Sequence, residues 1–259
     1  MNIVVCIKQV PGTTEIKIDP QTNTLVREGV ESIINPFDCY ALEEAVRLRE
    51  RCGGKVIAIS MGPPQAEEAL RETISLGADE AILLSDRAFA GSDTWATSYV
   101  LSKAIAKIAD YDVIICGRQT LDGDTGQVGP ELSEMLGIPF VAYVSKVEEI
   151  KDGYIRVQRM VEEGYEIIET TLPTVITVVK EINVPRLPSL RGSMKSKSAQ
   201  IPLWTARDIG VEGDKVGIAG SPTRVVKVFF PQRERKSQML QGSLEEQVEQ
   251  LMEKLEGII

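Results

Sequence analysis

Four short apolar runs set the rhythm of the first half of the chain. They are residues 2–7, Val56-Ile57-Ala58-Ile59-Ser60, residues 80–84 and Asp112-Val113-Ile114-Ile115-Cys116. Each has strand length, and polar or turn residues bound it, as for strands buried on both faces. Between the runs the apolar period shifts towards 3.6. Ala41, Leu42, Ala45, Val46 and Leu48 share one helical face, which begins near Asp38, an expected cap, and stops at Gly53-Gly54. A second helix follows Met61-Gly62-Pro63-Pro64 and ends near Leu76-Gly77. A third runs from a cap at Ser92 or Asp93 to about Ile108, and a fourth carries Val128, Leu132, Met135 and Leu136. This alternation predicts an α/β fold: a doubly wound parallel sheet with flavodoxin-like layering and helices on both faces. Ligands of such sheets bind beyond the carboxyl ends of the strands. Residues 8–11, 61–64, 86–94 and 118–129 all lie at that edge.

After Gly137 the pattern changes. Residues 140–147, 154–160, 166–171 and 175–179 alternate or run apolar at strand length. Lys151-Asp152-Gly153 and Glu162-Glu163-Gly164 read as hairpin turns, so this region is expected to extend the sheet antiparallel. A smaller hairpin is expected in the first crossover, with Ile16-Lys17-Ile18 and Leu25-Val26-Arg27 around residues 19–23. From Ile182 the pattern weakens. Residues 183–195, with two prolines and a glycine, read as an exposed loop; residues 217–224 are irregular, and 225–230 suggest a strand. Leu244, Val248, Leu251, Met252 and Leu255 form one face of a final amphipathic helix. The expected division is therefore a nucleotide-binding α/β domain with its antiparallel extension at 1–182, and a recognition loop with a C-terminal arm at 183–259. An arm with apolar anchors and little core suggests a partner chain to wrap. Folding back onto its own sheet is the competing reading.

The stretch of most chemical interest is Gly123-Asp124-Thr125-Gly126-Gln127-Val128-Gly129-Pro130, between the fourth strand and its helix. Glycines permit close backbone approach and positive φ. Thr125 is a natural N-cap, and Pro130 suits a first turn. Such a loop turns free N–H groups and the positive helix end outward, as phosphate sites do. The same pattern also fits a strand-to-helix turn tightened by glycine. It is neither G-x-x-x-x-G-K-[ST] nor a G-x-G-x-x-G after the first strand.

Composition narrows the chemistry. The 259 residues carry a net charge of -9, which argues against a general nucleic-acid binder. No apolar run approaches the roughly 18 residues of a membrane span. The chain opens on a strand, so no signal peptide is expected and a cytoplasmic location is. Histidine is absent, which removes Ser-His-Asp triads, His bases and His-ligated metals together. Cys6, Cys39, Cys52 and Cys116 form no C-x-x-C, so no metal site is expected. Any redox or group-transfer chemistry must come from a cofactor or partner.

Several segments together resemble the beta (small) subunit of electron-transfer flavoproteins. They are Ile3-Val4-Val5-Cys6-Ile7-Lys8-Gln9-Val10-Pro11, Asn35-Pro36-Phe37-Asp38, Ser60-Met61-Gly62-Pro63-Pro64, Leu76-Gly77-Ala78-Asp79, residues 122–130, Val184-Pro185-Arg186-Leu187-Pro188-Ser189-Leu190 and Gly220-Ser221-Pro222-Thr223. They span nearly the whole chain in the family's order. The resemblance implies an obligate heterodimer with a flavin-bearing alpha subunit, and a second adenine nucleotide in this chain, either FAD or AMP. The positions it implies for that nucleotide are Cys6, Asn35, Asp38, Met61, Gly62, Asp124, Thr125, Gly126, Gln127, Val128 and Gly129; Thr94 and Thr97 are added as neighbours. The compact loop at 122–130 is similar to that of electron-bifurcating members. That implies FAD, reduced by NADH only in the alpha–beta complex. One electron would pass to a ferredoxin or flavodoxin. The other would pass through the alpha-subunit FAD to an acyl-CoA dehydrogenase or quinone-linked acceptor. No residue of this chain is expected to be catalytic. Residues 188–197 match the family's partner loop, with Leu190 as apolar anchor, Met194 beside it, and Lys195 and Lys197 steering towards acidic partners. The rival reading is a free-standing nucleotide-binding module of the stress-protein type. An adenylating enzyme is disfavoured because S-G-G-x-D-S is absent.

Overall fold

The computed structural model describes the chain except residues 13–16, 19–24, 27–31, 152, 227–236 and 257–259. By compactness it divides into Met1–Val225 and Val226–Ile259.

In the first unit, β1 (Asn2–Cys6), β2 (Gln9–Pro11), β3 (Lys17–Ile18), β4 (Leu25–Val26) and β5 (Ser32–Ile34) precede α1 (Pro36–Cys52). The β3–β4 pair is the expected hairpin; its turn at 19–23 lies outside the described residues. Then come β6 (Lys55–Met61), α2 (Glu67–Leu76), β7 (Glu80–Leu84), α3 (Thr94–Ile108), β8 (Val113–Gly117) and α4 (Val128–Leu136). Four more strands follow: β9 (Phe140–Lys151), β10 (Tyr154–Val161), β11 (Gly164–Thr171) and β12 (Thr174–Val178). The nine-stranded sheet runs β11-β10-β9-β12-β8-β1-β6-β7-β13, closed at one edge by the two-residue β13 (Leu203–Trp204).

The alternate residues of the parallel strands feed two cores. Ile3, Val5, Ala58 and Ile115 meet α1 and α2 on one face. Val4, Ile57, Ile59 and Ile114 meet α3 and α4 on the other. The chain leaves β1 towards β6 and β7, then crosses back to place β8 on the other side of β1. The switch in winding direction therefore falls between β1 and β8.

Four sequence expectations change here. β12 is not part of the antiparallel extension. It pairs parallel with both β8 and β9, because the hairpins of β9–β11 leave the edge of β8 open for it. Asp38 does not cap α1: the N-cap is Asn35, and Asp38 lies buried in the first turn. Thr125 does not cap α4, whose N-cap is Gln127. Residues 190–198 are helix α5 (Leu190–Ser198), not loop. Ser189 caps it by accepting the Gly192 N–H at 2.9 Å, and it packs on α2 so closely that a Cβ on Gly192 would lie 2.2 Å from the Ser75 carbonyl oxygen.

Much of the region after 182 belongs to the first unit. Past β13, α6 (Ala206–Ile209) buries Ile209, and α7 (Gly217–Gly220) follows the buried Val216. The segment after β12 is strapped to α1. Arg186 donates Nε–H to Glu43 at 2.7 Å and Nη1–H to Glu50 at 2.7 Å, and Asn183 donates to the Tyr40 carbonyl at 3.1 Å. Burial works against the Glu43 charge, but Arg186 and Arg47 hold its carboxyl below the usual range. Arg186→Met would leave a nearly buried carboxylate with one cation. The expected loss is about 1–3 kcal/mol in urea unfolding at pH 7. A depressed carboxylate stabilises above its unfolded pKa and stops doing so as pH falls through its folded pKa. The penalty should therefore shrink in acid, and a penalty independent of pH would contradict the ion-pair account.

The second unit contains α8 (Leu244–Glu256). Ser243 and Glu246 cap it reciprocally, at 2.7 and 3.3 Å. Its expected apolar face, Leu244, Val248, Leu251, Met252 and Leu255, is exposed. Of the strand suggested at 225–230, Val225 and Val226 are irregular and the rest lies outside the described residues.

Candidate functional site

A cleft of about 630 Å³ opens at the carboxyl edge of the sheet, where the winding reverses. Cys6 ends β1 and Cys116 lies one residue before the end of β8; both thiols line the floor. The neighbouring Cys116 sulfur and burial together raise the Cys6 thiol well above its ordinary value, so it stays protonated. Met61, at the end of β6, lies on the same surface.

One wall is the first turn of α4 and the residues before it, Thr125 to Gly129. The first-turn amides of a helix have no partner inside it, and they carry the positive end of its dipole. The three glycines do different work. Gly126 adopts φ +64, the left-handed conformation that turns the chain into the helix, and Asp124 adopts φ +52 beside it. A Cβ on Gly129 would lie 2.5 Å from the Thr177 side chain, so this glycine lets α4 pack on β12. Gly123 has open surroundings: a Cβ there would lie 3.5 Å from Thr120 Oγ1.

The opposite wall is the start of α3. Asp93 caps α3 by accepting the Ala96 N–H at 3.1 Å. It also accepts the Thr223 N–H and O–H, both at 2.9 Å, and its own N–H donates to Ser221 Oγ at 2.8 Å. Burial opposes its charge, but these donors hold the carboxyl below its usual range. The bonds bring Pro222 and Thr223 to the rim. Glu131 on α4 accepts the hydroxyls of Thr94 and Ser98, each at 3.0 Å, and burial raises its pKa. The cleft carries two cations, Lys8 and Arg118. Lys8 Nζ pairs with Asp122 at 2.8 Å. Burial opposes the Asp122 charge, but the pairing outweighs it and lowers the pKa.

Of the residues expected at a nucleotide, Cys6, Asp38, Met61, Thr94, Thr97, Thr125, Gly126, Gln127, Val128 and Gly129 line this one cleft. Asn35, Gly62 and Asp124 do not. Asn35 is fully buried behind the loop. Gly62 is turned against Ala66, and the Asp124 carboxylate accepts from Gln119. Trp95, Leu101, Cys116, Gln119 and Glu131 also line the cleft, though the sequence patterns did not single them out. Leu190 and Met194 are exposed on α5. Lys195 is exposed on the same helix, and its ammonium donates to the carbonyls of Ala78 and Asp79, both at 3.1 Å, which fix its place and leave its charge.

A second cavity of about 560 Å³ adjoins the first, and Arg118 lines both. Phe37, Tyr143 and Val179 give it apolar walls; Arg159 and Lys180 line it beside the carboxylates of Glu162 and Glu181, and Lys180 pairs with Glu181 at 3.9 Å. The Arg118 guanidinium sits 5.3 Å from the centre of the Tyr143 ring. Tyr143 itself adopts φ +59, an unusual conformation for a residue with a side chain. Among the described residues no group of three or more Cys, Asp or Glu is placed to hold a metal, and no helix is long and apolar enough to cross a membrane.

These features define a doubly wound α/β protein with a ligand-sized cleft at its switch point, roofed by a helix N-terminus. The electron transfer flavoprotein domain model matches residues 22–209. The chain is 54% identical over 256 residues to the electron transfer flavoprotein subunit beta of Thermoanaerobacterium thermosaccharolyticum, covering 98% of both chains. It is 52% identical over 227 residues to the subunit of the same name from Clostridium acetobutylicum, covering 88% of this chain and 87% of that one. It is also 48% identical over 244 residues to the caffeyl-CoA reductase-Etf complex subunit CarD of Acetobacterium woodii, covering 94% and 93%. The chain belongs to the electron transfer flavoprotein family, in its beta-subunit branch.

Proposed function

We propose that this chain works in the cytoplasm as half of an alpha–beta heterodimer and holds FAD, with its adenosine end in the cleft between β1 and β8. The fit rests on the chain's own groups. The α4 N-terminus and Gly126 present amide donors where a pyrophosphate would lie. Arg118 supplies positive charge, and Lys8 stands beside it already paired with Asp122. The thiols of Cys6 and Cys116 and the Met61 side chain give an uncharged floor.

The observation that favours FAD over AMP is the second cavity. The first cleft has room for a mononucleotide. The space beyond Arg118, with two aromatic walls and charged groups of both signs, gives a dinucleotide somewhere to continue. A bound flavin supplies both hydride acceptance and one-electron transfer; this chain positions it and tunes its surroundings. On this reading the donor is NADH, with acceptors of two kinds: a ferredoxin or flavodoxin, and, through an alpha-subunit FAD, an acyl-CoA dehydrogenase or quinone-linked partner. The relative named as part of a caffeyl-CoA reductase complex supports the CoA-thioester branch. The exposed Leu190 and Met194 are the proposed apolar contacts for that partner.

The test is cofactor content of the purified heterodimer. Two FAD per pair are expected, and Arg118→Ala should weaken FAD binding about tenfold, a larger loss than for AMP, which can reach Arg118 only from the first cleft. One FAD and one AMP would replace the FAD reading with the non-bifurcating one. A stable lone chain without flavin would overturn both.

A further inference from the structure

Asn35 is the N-cap of α1, yet its side chain makes no cap bond. Asn is among the strongest capping residues, so this side chain is committed elsewhere. Its Nδ2 donates to the Gln119 carbonyl at 2.9 Å and to Asp38 Oδ1 at 3.0 Å. Its Oδ1 accepts the Leu121 N–H at 3.2 Å. Those loop partners lie 84 and 86 residues further along the chain. The side chain is fully buried and does not line the cleft.

Asn35 thus grips the loop after β8 by one carbonyl and one N–H, two residues apart. An amide is suited to this because it offers a donor and an acceptor on one rigid plane. A carboxylate could only accept, and an aliphatic side chain could do neither. The stretch gripped lies just before Gly123 to Gly129, so its placement sets where the α4 entry stands above the cleft.

We infer that Asn35 is a positioning residue: it pre-sets the anion-binding loop and touches no part of the nucleotide. This rests on the reading of the cleft as a nucleotide site. Because the loop would meet the phosphate and not the base, loosening it should cost phosphate recognition alone.

The experiment compares AMP with adenosine by calorimetry on the flavin-stripped alpha–beta complex, wild type against Asn35→Ala and Asn35→Asp. Both variants should bind AMP more weakly, by on the order of tenfold to a hundredfold, with adenosine unchanged. Equal losses for both ligands would mean that Asn35 touches the nucleoside and would overturn the inference. Unchanged AMP affinity would overturn it too. Amide exchange keeps the inference separate from the nucleotide reading. In wild type the Leu121 amide should be protected without any ligand, and Asn35→Ala should expose it. Should wild type bind neither AMP nor adenosine, the nucleotide reading fails; the Leu121 amide still decides whether Asn35 holds the loop. A Leu121 amide that exchanges freely in wild type would overturn the positioning role, even if the variants failed to fold.

Discussion

Gly117→Ala is expected to lower stability by about 3 kcal/mol, a fall of roughly 6–12 °C in Tm, and to disturb the cleft as well. Gly117 ends β8 where the first turn of α1 crosses it. A Cβ there would lie 2.4 Å from Asp38 Oδ1, 2.7 Å from the Phe37 carbonyl carbon and 2.8 Å from the Phe37 Cβ. Two of these atoms belong to the backbone or its first side-chain carbon, so no rotamer change relieves the clash. Either the strand end or the helix must shift. The strand end lines the cleft and the helix carries Asn35 and Asp38, so either movement reaches the site. Gly123→Ala is the control, because nothing lies closer than 3.5 Å to its Cβ position. Thermal unfolding of both variants tests this; equal midpoints would show that the close approach at Gly117 carries no energetic weight.

Asp38 gives the second large effect, through pH. Burial raises its carboxyl from 3.8 to about 7, against the pull of the Lys8, Asn35 and Gly117 donors. A raised carboxyl pKa means the folded state holds a proton that the unfolded state has released. The stabilisation it confers is complete below the unfolded pKa and is lost as pH rises through the folded one. Between pH 5 and 8.5 the wild type should lose about 2–3 kcal/mol relative to Asp38→Asn, which cannot titrate. Urea unfolding of the two proteins at both pH values measures it. A difference that does not change with pH would show that the donors keep Asp38 ionised throughout.

The parallel core was legible because consecutive apolar residues, as at 56–60 and 113–116, have few other uses. β12 was not legible as parallel: an apolar strand reads the same in either direction, and the sheet order decides. Helix α5 is not legible locally because Gly192, Ser193 and the lysines have no apolar period. It stands on a Ser189 cap and on contact with α2, and neither shows in a local window. Thr125 misled for a related reason: a good capping residue was present, but the helix begins past it, at Val128. Within the site, Cys6 and Met61 could be placed from topology alone. Pro222 and Thr223 could not, since bonds to Asp93, 130 residues earlier in the Thr223 case, draw them in.

The insertion of β12 between β8 and β9 has a bearing on the order of assembly. The long meander of β9, β10 and β11 leaves the ribosome first and can pair within itself. It has no place in the sheet until residues 174–178 exist, because its only neighbour there is β12. The last strand made in this region is thus the mortar between two halves already formed. A chain halted before Thr174 would carry a finished meander beside an unfinished sheet, with the hydrogen-bonding edge of β8 unpaired and without the Thr177 side chain on which Gly129 of α4 is seated.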